Sequence, residues 1–384
     1  MDVSQRIARS KPLATTAMHG RVEALRAAGA DVIDFSIAVS HFAAPTAVRA
    51  AIAGALGDTA LPYTSVSGAA RLRAHLCAKL RAENAIDATP DEIVVTNGAK
   101  QALFEALFVL TDPGDAVIVF RPYWPAYVAS AELLGLRVIL AELPATLTAA
   151  VLDALPPARL LILNNPHNPT GKVFTAAELD ALAAWLARRG CGAIVDESYE
   201  HLVYDGSHAS LAAARDWRAL GVVTLFSSSQ SYAMMGWRAG FAVAPRAIAA
   251  AMDTVQGPIT AAAPALTQLA LEAAFGAGVP QALLADYRAR RDLVLGLLAG
   301  APWLRMACPA SGPYLWGDIQ ALTRDSAAFA EALLAEARVA LMPGEALGAP
   351  GWIRIGFISD DVATLRRGVQ ALLAFGAARH AKAR

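Results

Sequence analysis

"IVVTNGAKQALFEALFVL" (93–110) is the stretch on which the fold turns. Its first four residues are β-branched and suit a buried strand. Gly98 interrupts the run, and the residues from 100 to 110 follow a helical pattern. The same alternation continues outward along the chain. β-Branched or apolar runs recur at "AVIVF" (116–120), "RVILAEL" (137–143), "LLILN" (160–164), "GAIVD" (192–196), "VVTLF" (222–226) and "GFAVA" (240–244). Helical stretches such as "TAAELDALAAWLARRG" (175–190) lie between them. Strands alternating with helices of this length predict an α/β protein with a mostly parallel sheet of seven strands, covered on both faces. Runs 222–226 and 240–244 are too close for a crossover helix, so one of them is expected to pair antiparallel.

Beyond a long helix at "ALLADYRARRDLVLGLLAG" (282–300) the pattern changes to a few strands and helices, which predict a smaller α+β domain. The expected division is an N-terminal arm and part of the small domain at 1–45, a large domain at 46–285, and a C-terminal small domain at 286–384.

Composition narrows the function. The 33 basic and 33 acidic residues balance, so no global field favours nucleic acid or an anionic membrane. Hydrophobic residues make up 56% of the chain, yet no apolar run approaches the roughly 20 residues that span a bilayer. The opening "MDVSQRIARSKPLATT" carries no apolar core after its charges, and a soluble, cytoplasmic protein is expected. Cys77, Cys191 and Cys308 lack metal-ligand spacing, and no metal site is expected.

In open α/β sheets, ligands bind beyond the carboxyl ends of the strands, and the chain's unusual polar residues fall there. Run 93–96 leads into Gly98 and a helix N-terminus, which offers backbone amides to an anion. Run 116–120 ends in "RPYWPAY", putting Tyr123 and Trp124 at the rim, and run 160–164 ends in "NNPHNPTG", presenting Asn168. Run 192–196 delivers Asp196, with Tyr199 three residues on; run 222–226 ends in Ser227, Ser229 and Gln230, with Arg238 ahead of the next strand. An anion cradle, an aromatic plate, an amide, a carboxylate, a phenol and an arginine suit a flat, phosphorylated, nitrogen-containing ring.

The motifs "TNGAKQAL", "DPGDAVIVFRPYWPAY", "NNPHNPTG", "DESYEHLVY", "SSSQSYAMMGWRAGF", "GPYLW", "LMPGEALG" and "IRIGF", in this order, resemble the class I aminotransferases of fold type I, over essentially the whole chain. The resemblance implies pyridoxal 5′-phosphate (PLP), or its aminated form, as cofactor. It implies a phosphate cup of Gly98, Ala99 and Lys100 (through backbone), Ser227 and Arg238. Trp124 would stack on the ring, Asp196 would pair with the ring nitrogen, and Asn168 and Tyr199 with the ring hydroxyl. Arg354 would clamp a substrate α-carboxylate, with Ala38 and Asn168 beside it. Tyr63, in "PYTSVSG", matches the tyrosine that members lend to the neighbouring subunit, which implies a homodimer with shared sites acting on an amino acid or keto acid.

The chain departs from the family at the centre of the chemistry. Gln230 stands where members carry the lysine that binds the cofactor and moves the substrate proton. An amide is neither nucleophilic nor basic at neutral pH, so ordinary transamination is expected to be nearly abolished and the cofactor to bind non-covalently. The remaining lysines are Lys11, Lys79, Lys100, Lys172 and Lys382. The substrate loop also differs: in "SIAVSHFAAP", Ser36 and Ala38 replace expected glycines and Ser40 a proline, and Met235 replaces a small hydroxyl residue before "GWR". Three readings follow: a lysine-independent enzyme using another base such as Tyr232, a histidine or water; an ordinary aminotransferase with an introduced Lys→Gln change; and a non-catalytic module that binds PLP or its amino-acid adduct. His167 and His201 are expected to be structural.

Overall fold

The structure is a computed structural model and describes residues 2–10, 12–58, 61–213, 215–359 and 361–383. Thirteen strands follow one another along the described chain. β1 is Ile33–Asp34. β2 (Ile93–Thr96), β3 (Ala116–Arg121), β4 (Arg137–Glu142), β5 (Leu160–Asn164), β6 (Gly192–Asp196), β7 (Val222–Ser227) and β8 (Gly240–Val243) coincide with the seven runs to within a residue or so. β9 (Arg305–Met306), β10 (Tyr314–Asp318), β11 (Val339–Ala340), β12 (Met342–Pro343) and β13 (Trp352–Gly356) complete the set.

β2 to β8 form one seven-stranded sheet in the order β2-β8-β7-β6-β5-β3-β4. Every pairing among β3 to β7 is parallel, and β8 alone runs antiparallel to both its neighbours, as the short 227–239 connection demands. The strand period of two sorts the side chains onto two apolar layers. Ile93, Val95, Ile118, Leu161, Val195, Phe226 and Phe241 face one core, while Val94, Val117, Ile162, Ile194, Leu225 and Ala242 face the other. Both faces are therefore covered, which is why these strands read as continuous apolar runs rather than alternating ones.

A third core lies between the N-terminal segment and the last eighty or so residues, joining Ile33 and Phe35 to Leu315, Ile353, Ile355, Phe357 and Leu365. β1 pairs in parallel with β11, Phe35 N–H donates to Ala340 O at 2.8 Å, and Gly356 N–H donates to Phe35 O at 2.8 Å. The N-terminal segment thus completes the smaller α+β unit, whose four-stranded sheet runs β12-β13-β10-β9. The expected boundary at 285/286 falls inside the helix Gln281–Leu298. Among the described residues, no helix is long and apolar enough to cross a membrane.

The helix Ala99–Leu110, which begins at the Gly98 turn, carries a fully buried carboxyl at Glu105. Its Oε1 accepts from Gln101 Nε2 at 2.7 Å, and its Oε2 has no partner among the described residues. Burial pushes its pKa from 4.5 up to about 7, with Asp253 adding to the effect. The folded protein therefore holds this proton more tightly than the unfolded chain does. Stability from Glu105 is full below about pH 4.5 and falls as pH rises towards 7. The shift corresponds to about 3 kcal/mol at most. Glu105→Gln is expected to flatten that decline, read as the urea midpoint between pH 5 and 8. An unchanged slope would show that Glu105 ionises freely.

Candidate active site

The carboxyl ends of the parallel strands and the loops leaving them close around a cavity of about 210 Å³. Its wall includes Ala99, Lys100, Trp124, Tyr127, Asn164, Asn168, Asp196, Ser198, Tyr199, Ser227, Ser229, Gln230, Arg238 and Tyr314. Strand register explains part of this convergence. Asn164 and Asp196 end adjacent strands as paired residues, and Asn164 Nδ2 donates to Asp196 O at 2.8 Å.

One part of the wall suits an anion. Gly98 has φ +76° and caps the helix Ala99–Leu110, and a Cβ there would lie 2.7 Å from Arg238 Nη2. Glycine therefore lets the guanidinium lie against the loop. A Cβ on Gly240 would meet Ala99 N and Phe226 O at 2.7 Å, so β8 presses the helix start into place. Arg238 Nη1 donates to Met235 O at 3.0 Å and Nη2 to Asn97 O at 3.4 Å, and its charge has no carboxylate partner among the described residues. With Ser227 and the free amides of a helix N-terminus alongside, these groups could hold a phosphate.

Asp196 is buried and accepts three hydrogen bonds. Tyr127 donates its hydroxyl to Oδ2 at 2.6 Å, and Ser198 donates from N at 3.0 Å and Oγ at 2.6 Å to Oδ1. Burial raises the Asp196 pKa, while the bonds from Ser198 and Tyr127 act to lower it. A protonated ring nitrogen beside it would restore the charge compensation that burial removes. Trp124 presents its ring to the cavity and meets Tyr127 edge-on, with centroids 5.3 Å apart at 82°. Tyr127 is absent from the sequence reading. Its signal is its position three residues after Trp124 across Pro125, which puts both on one side of the first turn of the helix Pro125–Leu133. Tyr199 and Tyr314 both line the cavity, and burial holds Tyr199 protonated, its pKa well above the ordinary range.

A buried cation adjoins this cavity. Arg354 on β13 is 1% exposed. Its Nη1 donates to Asn168 Oδ1 at 3.2 Å, its Nη2 to Ser36 O at 2.8 Å, and its Nε has no partner among the described residues. The guanidinium carbon sits 3.9 Å from the Tyr314 ring centre. Neutral acceptors leave a buried charge under-compensated, and a carboxylate would complete it. Ala38 is buried two residues beyond Ser36 but does not line the 210 Å³ cavity. Tyr63 is 97% exposed and lies outside that cavity, on a groove with Leu61 and residues 260–266.

Gln230 is half-buried on the cavity wall, between Ser229 and Ser231. Of the other lysines, Lys100 is on this wall, with Nζ 5.2 Å from the Trp124 ring centre; partial desolvation and then Arg238 lower its pKa. Lys79 is ion-paired with Glu200 at 2.5 Å and Lys172 with Glu178 at 2.8 Å, both away from the cavity; Lys382 is in the last helix. Lys11 lies outside the described residues.

Two expectations need correction. Tyr123 does not share the rim with Trp124. Its N–H donates to Leu347 O at 3.0 Å, and its ring faces a separate groove with Pro125, Val128 and Ala346, because consecutive residues of an extended segment point to opposite sides. Tyr232 is not on the wall either. It is 1% exposed in the apolar layer, edge-on to Phe275 and His201, where burial raises its pKa. The histidines stand apart as well. Burial first, and then Lys172, pushes the His167 pKa down to about 3, and His201 Nε2 lies 2.8 Å from Glu83 Oε2.

Comparison with known proteins gives this cavity a family. A family model described as aminotransferase class I and II matches residues 30–372. An aspartate/prephenate aminotransferase of Thermus thermophilus is 33% identical over 373 residues, covering 94% of this chain and 95% of that protein. An aspartate aminotransferase of Streptomyces avermitilis is 30% identical, covering 94% and 93%. The solved structure of a Thermus thermophilus aspartate aminotransferase with maleate superposes with a TM-score of 0.90 at 31% identity, covering 98% of this chain and all of that one. The chain is a member of the class I and II aminotransferases.

Proposed function

We propose that this protein binds PLP or its aminated form without a covalent bond and handles an α-amino acid, or the corresponding keto acid, by a route that needs no lysine. The observation that carries this reading is Gln230 on the wall of a cavity that otherwise keeps a full set of groups for such a ring. When bound, the cofactor supplies an electron sink for charge that develops on the substrate carbon. The protein's own groups do the rest. Amides 99 and 100 with Ser227 and Arg238 hold the phosphate, Trp124 stacks on the ring, and Asp196, itself held by Tyr127, keeps the ring nitrogen protonated. Asn168 and Tyr199 hold the ring hydroxyl, and the buried Arg354 takes the α-carboxylate beside Asn168. Gln230 hydrogen-bonds but neither ionises nor attacks.

The substrate loop favours a native Gln230 over an isolated introduced change. Its unusual residues are integrated: Ser36 donates from N and Oγ to Asp34 Oδ1 at 2.8 and 2.6 Å, and Tyr287 is hydrogen-bonded to Ser40. Arg354, retained and buried without a carboxylate partner among the described residues, favours a site that meets amino acids over a module that only senses PLP. Tyr63 at 97% exposure, with Leu61 at 42% and Ile259 at 57%, supports a homodimer in which Tyr63 reaches the neighbouring site. Three free thiols fit a reducing, cytoplasmic setting. Equilibrium dialysis tests the reading: PLP and its aminated form should both bind saturably, and Asp196→Ala should weaken both. Absence of saturable binding would overturn it.

A further inference from the structure

Arg354 is held on three sides. Its guanidinium carbon sits over the Tyr314 ring, and Asn168 Oδ1 and Ser36 O each take an N–H. A carboxylate needs two more of the group's N–H donors for a bidentate pair, so the orientation of the guanidinium decides whether that pair can form. The position of Ser36 O is set in turn by a second buried group. Asp34 ends β1 and is 4% exposed. Its Oδ1 accepts from Ser36 N at 2.8 Å and from Ser36 Oγ at 2.6 Å, which closes a tight turn over residues 34–36. A Cβ on Gly356 would lie 2.7 Å from Ile37 O, so the chain just past this turn lies directly against the strand that carries Arg354. The other carboxylate oxygen, Asp34 Oδ2, is buried without a hydrogen bond among the described residues and has His19 Nδ1 at 3.8 Å, on a side chain 46% exposed. A buried carboxylate is costly to keep, and the handling of cofactor and substrate described above makes no use of this one.

We propose that Asp34 is a positioning residue for the substrate: by closing the turn at Ser36 it holds Ser36 O against Arg354 and so aims the guanidinium at the α-carboxylate. Arg354 Nη2 reaches Ser36 O at 2.8 Å, the shorter of its two hydrogen bonds, so this carbonyl is the firmer of the two anchors. An arginine side chain has several rotatable bonds, and its head swings unless its donors are fixed. Without the Asp34 acceptor, Ser36 N and Oγ lose their partner, the turn relaxes, and the carbonyl withdraws from Nη2. The guanidinium then keeps its charge and its place on the Tyr314 ring but loses its orientation. Ser36 contributes a second bond through its hydroxyl, which a glycine at this point of the loop would lack. Asp34 itself touches neither cofactor nor substrate in this account, and its effect passes through Ser36 and Arg354 alone.

The inference rests on the reading that the site binds the cofactor and an amino acid, and the test separates the two. Two probes are titrated by calorimetry: the aminated cofactor, and phosphopyridoxyl-alanine, a stable compound with the same ring and phosphate plus an α-carboxylate. In the unaltered chain the carboxylate should tighten binding by about tenfold or more. Asp34→Ala should weaken phosphopyridoxyl-alanine by about tenfold and the aminated cofactor by under about twofold. Asp34→Asn keeps an oxygen acceptor for both Ser36 donors and should stay within about threefold of the unaltered chain on both probes. In an Arg354→Met background, Asp34→Ala should cost under about twofold on either probe, because the residue through which it acts is gone. Ser36→Ala removes one bond of the turn, should cost about threefold on phosphopyridoxyl-alanine alone, and carries the test if Asp34→Ala does not fold. Equal weakening of both probes, or a loss that persists in the Arg354→Met background, would make Asp34 structural and overturn the proposal. So would an Asp34→Asn chain as weak as Asp34→Ala. An unaltered chain that binds neither probe, or binds both equally, would instead overturn the reading beneath it.

Discussion

Gln230→Lys is expected to raise amino transfer with PLP by about 10²–10⁴-fold over the unaltered chain, the range that a positioned general base contributes. The expectation follows from what the cavity keeps. Asp196 with its Tyr127 donor, the Gly98–Arg238 cup and the Trp124 plate need no rebuilding, so one substitution supplies the missing amine. Gln230 is half-buried on the wall, and a longer side chain there can reach the cavity without opening the core. Initial rates of keto-acid formation across an amino-acid panel check it. A gain confined to one class of side chain would also identify the substrate. No gain with any amino acid would mean that the altered loop at Ser36, Ala38 and Ser40 has closed the site to substrates.

Arg354→Met should separate binding from folding. Hydrogen bonds to a charged group are worth about 1.5–3 kcal/mol each, so loss of the guanidinium should weaken an α-carboxylate ligand by roughly tenfold to a hundredfold. Folding should respond differently. The arginine is 1% exposed and, among the described residues, meets neutral groups, Asn168 Oδ1, Ser36 O and the Tyr314 ring, so its buried charge gains little in the free protein. Replacing such a charge with an apolar side chain of similar volume is often neutral or stabilising, by about 1 kcal/mol or more. The urea midpoint should therefore hold or rise while calorimetric binding of alanine collapses. A parallel loss of both would make Arg354 a structural residue with no substrate role.

The sheet was largely legible because its strands are buried on both faces and read as unbroken apolar runs, and because the brevity of 227–239 left β8 only an antiparallel partner. Asp196, Asn168, Ser227 and Gln230 were legible for a related reason: a residue at the carboxyl end of a parallel strand has one place to go. Legibility failed where the loop path decides direction. Tyr123 and Trp124 are neighbours that diverge, and only their backbone trajectory says which one meets the cavity. Tyr127 and Tyr314 depend on long-range pairings, to Asp196 across 69 residues and to Arg354 on the next strand, that no local pattern announces. The boundary at 285/286 failed to mark a break because the helix Gln281–Leu298 runs continuously through it and supplies Leu283, Tyr287 and Val294 to the small domain's core.

The central claim is that the cofactor is held by shape, charge and hydrogen bonds alone. The most direct measurement is the intact mass of the unaltered chain after incubation with PLP and borohydride, beside the Gln230→Lys chain treated in the same way. The unaltered chain should return its unmodified mass and release the cofactor on gel filtration, while the Gln230→Lys chain gains one pyridoxyl group on the new side chain. A pyridoxyl group fixed to the unaltered chain, at Lys100 or any other lysine, would contradict the claim.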